Sequence, residues 1–331
     1  MLRQPRAGPQ SKMIPMAAAT LVLVTRPVHR SAAKPDPTGT HAAAIAVDGS
    51  VHPEGVHPGG FAIADARSPR LRVLDLGATR GDGIFETISV TGGTAHALDA
   101  HLERFAASAN QLDLPEPDAR VWRDAIAAAI ADHEPVAELS VKLVLTRGVE
   151  GADIPTAWVY AEEAPDYRAV RVHGIRVVTL DRGYRHDVAL TSPWLLQGAK
   201  TLSYAVNRAA LREAVRRAAD DVVFVSSDGY LLEGPTSTLI LRHGNRIRTP
   251  RTDQGILAGT TQASAFDFFD AAGFETSYEL LPFDELVSAD SAWLVSSVRQ
   301  AAPVRAVDGR ALPVEGELTA RLNAHLLASP N

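Results

Sequence analysis

The chain contains no cysteine among its 331 residues. Disulfide bonds, thiolate nucleophiles and cysteine-ligated metal sites are therefore excluded. A reducing cytoplasm is compatible with this composition, and it is the location that we expect. The 11 histidines are scattered along the sequence. The spacing of His52, His57, His96 and His101 matches no closed set of ligands, so we expect no metal site.

A strong charge of one sign and a long apolar run are also missing. Lysine and arginine together number 33 against 39 acidic residues, which gives a formal net charge of −6. Beyond the N-terminus the basic residues alternate with acidic ones, so nucleic acid is not an expected partner. The apolar run at residues 13–24 is too short to span a bilayer, and we expect no membrane partner. Phosphate-binding glycine motifs, the nucleophile elbow and the zinc-protease motif are all absent.

The first 45 residues differ from the rest of the chain. The first 35 carry six lysines or arginines and no acidic residue, a pattern found in signal and transit peptides. The alternative is an over-extended start, because Met13 and Met16 could both initiate translation, and residues 31–40 have a composition typical of disorder. We favour the alternative and predict that residues 1–45 are a disordered or wrongly assigned extension, since the rest of the chain lacks features of secreted proteins.

The remaining sequence predicts two domains in an α+β fold. A content of 46% hydrophobic and 22% charged residues is that of an ordinary globular protein, and the length suffices for two cores. We predict a small α+β domain at residues 46–165 and a larger domain at residues 166–331. The larger domain has many antiparallel strands, and residues 170–180 are predicted to form its first strand. Strand, helix and parallel strand do not alternate for long, which disfavours a doubly wound nucleotide fold.

Three short segments carry the residues of chemical interest. Lys200 lies in Gln-Gly-Ala-Lys-Thr-Leu-Ser-Tyr, Glu233 lies in Leu-Leu-Glu-Gly-Pro-Thr-Ser-Thr, and Gly259 is followed by Thr260 and Thr261 at the start of an apolar helix pattern. An amine, a carboxylate and a helix N-terminus with hydroxyl groups are what pyridoxal phosphate requires of a protein. Each residue alone has an ordinary explanation as an exposed charge or a helix cap, so the order of the three carries the inference.

That order, and the sequence between the segments, resembles the fold-type IV (class IV) pyridoxal-phosphate enzymes. These include the branched-chain aminotransferases, the D-amino acid aminotransferases and aminodeoxychorismate lyase. The resemblance runs from about Gly77 to about Pro313. It implies a small α/β N-terminal domain, a larger C-terminal domain rich in antiparallel strands, pyridoxal 5'-phosphate as the cofactor and assembly as a homodimer. Further matching blocks lie at residues 80–87, 101–105, 146–148 and 255–261.

The resemblance also implies roles for individual residues. Lys200 would form the Schiff base and act as the general base, and Glu233 would face the ring nitrogen of the cofactor. Other cofactor-binding positions carry an arginine or a hydroxyl group: Arg104, Ser237, Thr260, Thr261 and Ser297.

Four further residues are candidates for the substrate side. Arg147 aligns with an arginine that binds the substrate carboxylate in the D-amino acid enzymes, and Arg182 and Arg299 are rivals for that role. Tyr204 would lie within reach of the phenolic oxygen of the cofactor, although the tyrosine of the family is spaced differently from its lysine. Ser203, where relatives often have asparagine, and the residues after Gly148 depart from the family pattern.

Among these relatives the block pattern looks most like the lyases, and this resemblance implies an enzyme that converts 4-amino-4-deoxychorismate into pyruvate and 4-aminobenzoate for folate synthesis. The alternative is an aminotransferase that acts on D-alanine or branched-chain amino acids with a 2-oxo acid acceptor. A third possibility is a binding module that has lost its activity. Such a module would be expected to lack the lysine or the glutamate, and both are present.

Overall fold

Two β-sheets organise the residues that the computed structural model describes, which are 19–28, 57 and 59–328. The first sheet has six strands in the order β2-β1-β6-β5-β3-β4, and every neighbouring pair is antiparallel. Its strands are β1 (Thr20–Val24), β2 (Phe61–Asp65), β3 (Gly83–Thr91), β4 (Thr94–Ala95), β5 (Glu138–Thr146) and β6 (Thr156–Glu163). The helices in this part of the chain are α1 (Leu76–Thr79), α2 (Leu98–Gln111) and α3 (Ala119–Asp132).

Helices α2 and α3 cover one face of this sheet with their apolar stripes. Phe105 of α2 and Trp122 of α3 are both fully buried and meet edge to face, with ring centroids 4.9 Å apart. Asp118 caps α3 by accepting a hydrogen bond from the amide of Arg120.

The prediction for residues 1–45 is wrong at one segment. The apolar run at residues 20–24 is not part of a disordered extension, because it forms β1 and pairs with both β2 and β6 inside the first sheet. Val22 is fully buried there, and Pro27 accepts a hydrogen bond of 2.9 Å from the indole of Trp122. A short continuous apolar run such as residues 21–24 fits a buried strand as well as a short signal sequence. Residues 1–18 and 29–45 lie outside the described residues.

The second sheet has eight strands and mixed pairing. Its order is β11-β10-β9-β12-β13-β7-β8, and β14 pairs with β13. The pairs β7–β8, β7–β13 and β10–β11 are parallel, and the other pairs are antiparallel. Its strands are β7 (Ile175–Asp181), β8 (Asp221–Val225), β9 (Thr238–His243), β10 (Arg246–Pro250), β11 (Glu275–Glu279), β12 (Ser291–Ser296), β13 (Gln300–Val307) and β14 (Arg310–Ala311).

Six helices accompany the second sheet and complete an α+β architecture, as predicted. Phe269 of the helix after Gly259 packs on Trp293 of β12, and both are fully buried. Within the described residues, no helix combines the length and the apolar character that crossing a membrane requires. The helices are α4 (Arg168–His173), α5 (Val188–Thr191), α6 (Ala205–Arg216), α7 (Thr260–Ala271), α8 (Asp284–Val287) and α9 (Gly316–Ala328).

The strand predicted at residues 170–180 is replaced by a helix and a shorter strand. Helix α4 ends at His173, Gly174 turns the chain with a positive φ of 71°, and β7 follows. A side chain at Gly174 would place its Cβ 2.5 Å from the carbonyl oxygen of Pro303, so only glycine fits. Arg171 of α4 forms an ion pair with Glu138 of β5. Such a contact between distant segments overrides a local apolar pattern. The domain boundary that we proposed near residue 165 lies between β6 and α4.

Candidate active site

Lys200 lies against the edge of β3, where backbone hydrogen bonds fix its segment. The amide of Phe85 donates to the carbonyl of Lys200 at 3.0 Å, and the amide of Leu202 donates to the carbonyl of Gly83 at 2.8 Å. Gly83 permits this close approach, because a Cβ there would lie 2.8 Å from the Cδ1 of Leu202. The ammonium nitrogen of Lys200 is 4.6 Å from the centre of the Phe85 ring. The lysine therefore has a fixed backbone and an aromatic neighbour.

The amine of Lys200 is shifted toward its neutral form. Burial lowers the pKa of Lys200 to about 8, with the charges of Glu86 and Glu233 opposing the shift and that of Arg104 adding to it. The sequence contains four lysines, of which Lys142 and Lys200 are in the described residues. A neutral amine is the nucleophilic form, so Lys200 suits covalent attachment of an aldehyde.

Glu233 follows the hairpin at the end of β8. The carbonyl of Glu233 accepts from the amide of Phe224 at 2.9 Å, and its carboxylate accepts from the amide of Leu257 at 3.1 Å. Burial raises the pKa of Glu233 to about 7, although the Leu257 amide and the charge of Lys200 oppose the shift. The carboxylate of Glu233 accepts only this one hydrogen bond from the described residues, so its remaining lone pairs can accept another from a donor such as the protonated nitrogen of a heterocycle.

Three hydroxyl groups gather at the N-terminus of α7, and we call Thr260, Thr261 and Ser297 the hydroxyl cluster. The Oγ1 of Thr261 is 3.3 Å from the Oγ of Ser297. Gly259 caps α7 without a side-chain hydrogen bond, so the first-turn amides of the helix are open to a ligand. A Cβ at Gly259 would lie 2.4 Å from the Oγ1 of Thr238. Amides, hydroxyls and the helix dipole together favour a phosphate group.

The structure adds Glu86 and His101 to the predicted residues. Glu86 is fully buried, and both of its oxygens accept from the guanidinium of Arg104, at 2.7 and 2.8 Å. His101 lies between this carboxylate and the hydroxyl cluster. Its Nδ1 is 2.8 Å from Glu86, and its Nε2 is 3.3 Å from the Thr260 hydroxyl and 3.2 Å from that of Ser297.

The buried pairing explains the charge states of these residues. Burial alone would raise the pKa of Glu86, but the charge of Arg104 and the hydrogen bonds from His101 and Arg104 hold it well below its usual range. Burial lowers the pKa of His101, so the ring is neutral and its Nε2 accepts from a hydroxyl group when Nδ1 donates to Glu86. The third guanidinium nitrogen of Arg104 donates to the carbonyl of Ala258 at 2.8 Å, just before the N-terminus of α7.

A sequence signal for Glu86 existed. On β3 it shares a face with Ile84, Ile88 and Val90, which are all buried. A carboxylate in the middle of such an apolar face requires a buried partner, because an unpaired charge there is very costly. The His-x-x-Arg spacing of the following helix supplies two partners on one face.

Ser237 and Tyr204 lie beside Glu233. The Oγ of Ser237 is buried without a hydrogen-bond partner, 2.6 Å from where a Cβ on Gly234 would stand. The hydroxyl of Tyr204 donates to the carbonyl of Pro235 at 2.5 Å, and its ring meets Phe85 edge to face at 5.4 Å. Burial raises the pKa of Tyr204 to about 12, so this hydroxyl keeps its proton.

Arg147 has partners that leave it little capacity for a substrate. Its guanidinium donates to both oxygens of Asp82, at 2.7 and 3.2 Å, and to the carbonyls of Leu112 and Asp113, at 2.6 and 3.2 Å. These four hydrogen bonds use most of the five donors of an arginine. The guanidinium thus fastens the loop before β3 to the end of α2, and the role of Arg147 in binding a carboxylate stays a prediction.

The two rival arginines differ from each other. Arg182 donates to the hydroxyl of Tyr184 at 3.0 Å and stacks on Phe224, with 4.5 Å between its central carbon and the ring centroid. Arg299 donates to Asp221 at 2.6 Å, and its other two nitrogens, Nε and Nη2, are buried without a partner. The described part of the chain contains no group of three or more histidine or acidic side chains that could hold a metal ion.

The residues present fit pyridoxal phosphate. Lys200 offers an amine with a lowered pKa, Glu233 offers a buried carboxylate oxygen, and α7 begins with uncapped amides beside the hydroxyl cluster. These groups suit an aldehyde, a ring nitrogen and a phosphate respectively.

Comparisons with known proteins agree with this geometry. The model of the amino-transferase class IV family matches residues 83–307. The chain is 44% identical over 257 residues to a bifunctional aminodeoxychorismate lyase and D-amino acid transaminase of Mycobacterium tuberculosis, covering 74% of this chain and 88% of the relative. A fold IV-transaminase structure from Curtobacterium pusillum superposes with a TM-score of 0.85 at 55% identity, covering 94% of this chain and 98% of the other.

A further solved structure contains the cofactor. It is the pyridoxal-phosphate-bound form of a hypothetical aminotransferase from Mycobacterium tuberculosis, with a TM-score of 0.76 at 41% identity, covering 80% of this chain and 95% of the other. The family match spans more than half of the chain and includes Lys200, Glu233 and the hydroxyl cluster. This chain therefore belongs to the amino-transferase class IV family of pyridoxal-phosphate-dependent enzymes.

Proposed function

We propose that this enzyme is an aminodeoxychorismate lyase, which releases pyruvate and leaves 4-aminobenzoate for folate synthesis in the cytoplasm. The two products contain all the atoms of the substrate, so the reaction needs no oxo-acid acceptor. The observation that carries this choice is the engagement of Arg147 with Asp82 and two carbonyls. The position that aligns with the carboxylate-binding arginine of D-amino acid aminotransferases is therefore already occupied by protein groups.

Lys200 and Glu233 are the residues to which we assign the chemistry. When bound, pyridoxal phosphate supplies an electron sink for negative charge that develops on the substrate. Lys200 is the residue that would hold the cofactor, through its amine. Its free Nζ, with a pKa of about 8, then accepts the proton from the carbon that bears the amine. The Glu233 carboxylate keeps a proton on the ring nitrogen, and that interaction restores the charge that burial disfavours.

The hydroxyl cluster and Arg104 are the groups that we assign to the phosphate. The amides at the N-terminus of α7 and the hydroxyls of Thr260, Thr261 and Ser297 would donate hydrogen bonds to the phosphate. The Arg104 guanidinium adds positive charge while Glu86 holds it in place. Ser237, whose hydroxyl is buried without a partner, is the remaining candidate on the Glu233 side.

Transamination is the second candidate, and two similarities favour it. The relative at 44% identity is named for both activities, and the structure at 55% identity is a transaminase. The same lysine serves both reactions, because each begins with loss of a proton from the carbon next to the nitrogen. The alternative substrates are D-alanine and branched-chain amino acids with a 2-oxo acid acceptor.

One experiment separates the candidates. The holoenzyme is incubated with aminodeoxychorismate and no oxo acid, and the products are measured by mass spectrometry. Continuous release of pyruvate and 4-aminobenzoate over many turnovers supports the lyase. If these products are missing while D-alanine or leucine converts the bound cofactor to its amine form, the enzyme is an aminotransferase.

We further infer that the enzyme is a homodimer. Exposed apolar side chains gather in the segment that precedes Lys200, where Leu190 is 74% and Trp194 is 72% exposed. Large apolar side chains that are adjacent in the chain and exposed are typical of an interface. A second copy of this chain is the expected partner, as in the relatives that the sequence resembles. Light scattering on the purified protein checks this, and a monomer at micromolar concentration contradicts it.

A further inference from the structure

The segment that contains Lys200 continues directly into helix α6. Backbone hydrogen bonds hold Lys200 and Leu202 on β3. Tyr204 is the N-cap of α6, and its carbonyl accepts from the amide of Arg208 at 3.0 Å. Tyr204 and Asn207 are three residues apart in the first turn, so their side chains share one face of the helix. The position of that face therefore follows from the position of the lysine segment.

Both side chains donate to one backbone carbonyl, that of Pro235. The Tyr204 hydroxyl donates to it at 2.5 Å, and the side-chain amide of Asn207 donates to it at 2.8 Å. Pro235 is buried, and a buried carbonyl without a partner is costly. Because proline has no amide hydrogen, this carbonyl is the backbone group through which α6 can hold the residue.

Pro235 belongs to a closely packed turn that starts at Glu233. The amide of Gly234 donates to the carbonyl of Ser237 at 2.8 Å. A Cβ at Gly234 would lie 2.6 Å from the Oγ of Ser237 and 2.9 Å from the carbonyl oxygen of Val222, so the turn has no room for another side chain. In such a packed turn, Pro235 cannot shift without moving Glu233 as well.

The carboxylate of Glu233 depends on its own backbone for its position. Within the described part of the chain, the amide of Leu257 is its one hydrogen-bond donor, at 3.1 Å. Burial is the main cause of the raised pKa of Tyr204, and the negative charge of Glu233 raises that pKa as well, so the two side chains are neighbours. A carboxylate with a single hydrogen bond can turn away if its backbone moves.

Tyr204 also contacts the surroundings of the Lys200 amine. Its ring meets that of Phe85 edge to face, with ring centroids 5.4 Å apart. The Nζ of Lys200 lies 4.6 Å from the centre of the same Phe85 ring. One side chain thus touches both the aromatic neighbour of the amine and the turn that begins at Glu233.

From these contacts we propose that Tyr204 and Asn207 are positioning residues for Glu233, and that their hold on Pro235 keeps the carboxylate at a fixed distance from the Lys200 amine. The aldehyde carbon and the ring nitrogen lie on opposite sides of one rigid pyridine ring, so the cofactor requires that distance to be constant. This inference rests on the role proposed for Glu233 and goes beyond it, because it assigns the residues that hold the carboxylate in place.

The test removes the two donors and retains the rest of each side chain. Tyr204→Phe keeps the aromatic ring, and Asn207→Leu keeps a side chain of similar size. The double variant leaves the Pro235 carbonyl without either donor. Tyr278→Phe is the matched control, because it removes a tyrosine hydroxyl that donates to the side chain of Gln262 at 3.0 Å. Thermal unfolding of each holoprotein verifies that the variants are folded.

The first readout is the pH at which the absorbance of the lysine-bound cofactor changes. The Glu233 carboxylate keeps a positive charge on the ring nitrogen, and that charge lowers the pKa of the nitrogen that joins Lys200 to the cofactor. The double variant should therefore move the midpoint upward by about one pH unit, in the same direction as Glu233→Gln. Tyr278→Phe should keep the wild-type midpoint. A double variant with the wild-type midpoint overturns the proposal.

The second readout is the coupling of the two donors to Glu233. Loss of both donors should reduce turnover by roughly 10-fold in the wild-type background. In Glu233→Gln the same two changes should reduce turnover by less than about 2-fold, because the carboxylate through which they act is already gone. Equal losses in the two backgrounds would mean that the donors act on the fold alone, and would overturn the proposal.

A failure of the underlying role of Glu233 gives a different result. If Glu233→Gln itself has the wild-type midpoint and turnover, that role is wrong and the proposal falls with it. If Glu233→Gln shows both effects and the double variant shows neither, Glu233 keeps its role and the positioning by Tyr204 and Asn207 is refuted. Neither result depends on whether the enzyme is a lyase or an aminotransferase.

Discussion

Two glutamates of this protein, Glu86 and Glu233, are placed in opposite environments. Glu86 on β3 is paired with Arg104 and His101, and its pKa lies well below the usual range. Glu233 after β8 accepts an amide hydrogen bond from Leu257, and burial raises its pKa to about 7. One carboxylate has its charge satisfied by the protein, and the other has capacity for a ligand.

The same contrast separates the arginines. Arg147 makes four hydrogen bonds to the protein, whereas Arg299 has two buried nitrogens without a partner. A satisfied buried group contributes to a unique packing arrangement, and an unsatisfied one is costly unless a ligand completes it. We therefore expect the balance of hydrogen bonds to distinguish the scaffold of the site from the groups that act on ligands.

The largest expected effect is that of Lys200→Ala. Removing the amine removes both covalent attachment and the general base, so turnover should fall by roughly 10³-fold or more. The absorbance of the lysine-bound cofactor should disappear as well. Lys142→Ala is the matched control, because Lys142 lies nearby on strand β5 and its charge lowers the pKa of Lys200. A Lys200→Ala protein that still shows this absorbance after dialysis refutes the assignment.

Glu233→Gln should reduce turnover strongly while sparing the fold. Loss of the carboxylate removes the group that keeps the ring nitrogen protonated, and we expect turnover to fall by roughly 10²-fold. Because the pKa of Glu233 is raised in the folded state, that state binds more protons than the unfolded one between about pH 4.5 and 7. The stability that wild-type apoprotein has from this carboxyl group is therefore lost as the pH rises through 7.

Urea unfolding of the wild-type and Glu233→Gln apoproteins tests the direction of this pKa shift. The free energy of unfolding of Glu233→Gln, relative to wild type, should increase from pH 5 to pH 8. A relative stability that decreases over this range would contradict a raised pKa.

Glu86→Gln should mainly reduce stability, in contrast to Glu233→Gln, which should mainly reduce turnover. The substitution leaves Arg104 buried without its counter-charge, and breaking such a pair costs about 3–5 kcal/mol. Chemical unfolding of the apoprotein at pH 7.5 measures this loss. If Glu86→Gln is as stable as wild type and Glu233→Gln is the unstable variant, the contrast between the two carboxylates has been assigned the wrong way round.

The sequence predicted the candidate ligand-binding residues better than it predicted the contacts that position them. Lys200, Glu233 and Thr260 each stand in a short block with its own local pattern, and the structure gives each the local setting that its block indicated. Their roles stay predictions until variants are measured. Arg147 also matched a block, but its partners Asp82 and Leu112 come from other segments, and contacts of that kind are not encoded in local sequence.

The elements that were predicted wrongly share the same cause. Strand β1 was read as part of a terminal extension because its partners β2 and β6 are distant in sequence. Helix α4 was predicted as strand because Val170 and Val172 alternate with polar residues, whereas the ion pair of Arg171 with Glu138 favours the helix. Long-range pairing decided both cases, and periodicity within a few residues could not.

A smaller effect is expected in the pH dependence of cofactor attachment. With its pKa at about 8 rather than the 10.5 of an ordinary lysine, Lys200 should react with pyridoxal phosphate at a rate that rises with pH to a midpoint near 8. The midpoint should move lower in Glu233→Gln, because that variant loses a negative charge that favours the ammonium form. Stopped-flow absorbance on the apoprotein measures both, and a midpoint near 10 contradicts the account.

The most direct test of the central claim is to reduce the holoenzyme with borohydride and to map the modified peptide by mass spectrometry. The account predicts that the cofactor is fixed to the Nζ of Lys200, in the segment that β3 holds, and that Lys142 is unmodified. Modification at Lys142, or recovery of Lys200 unmodified from a preparation that contains stoichiometric cofactor, would contradict it.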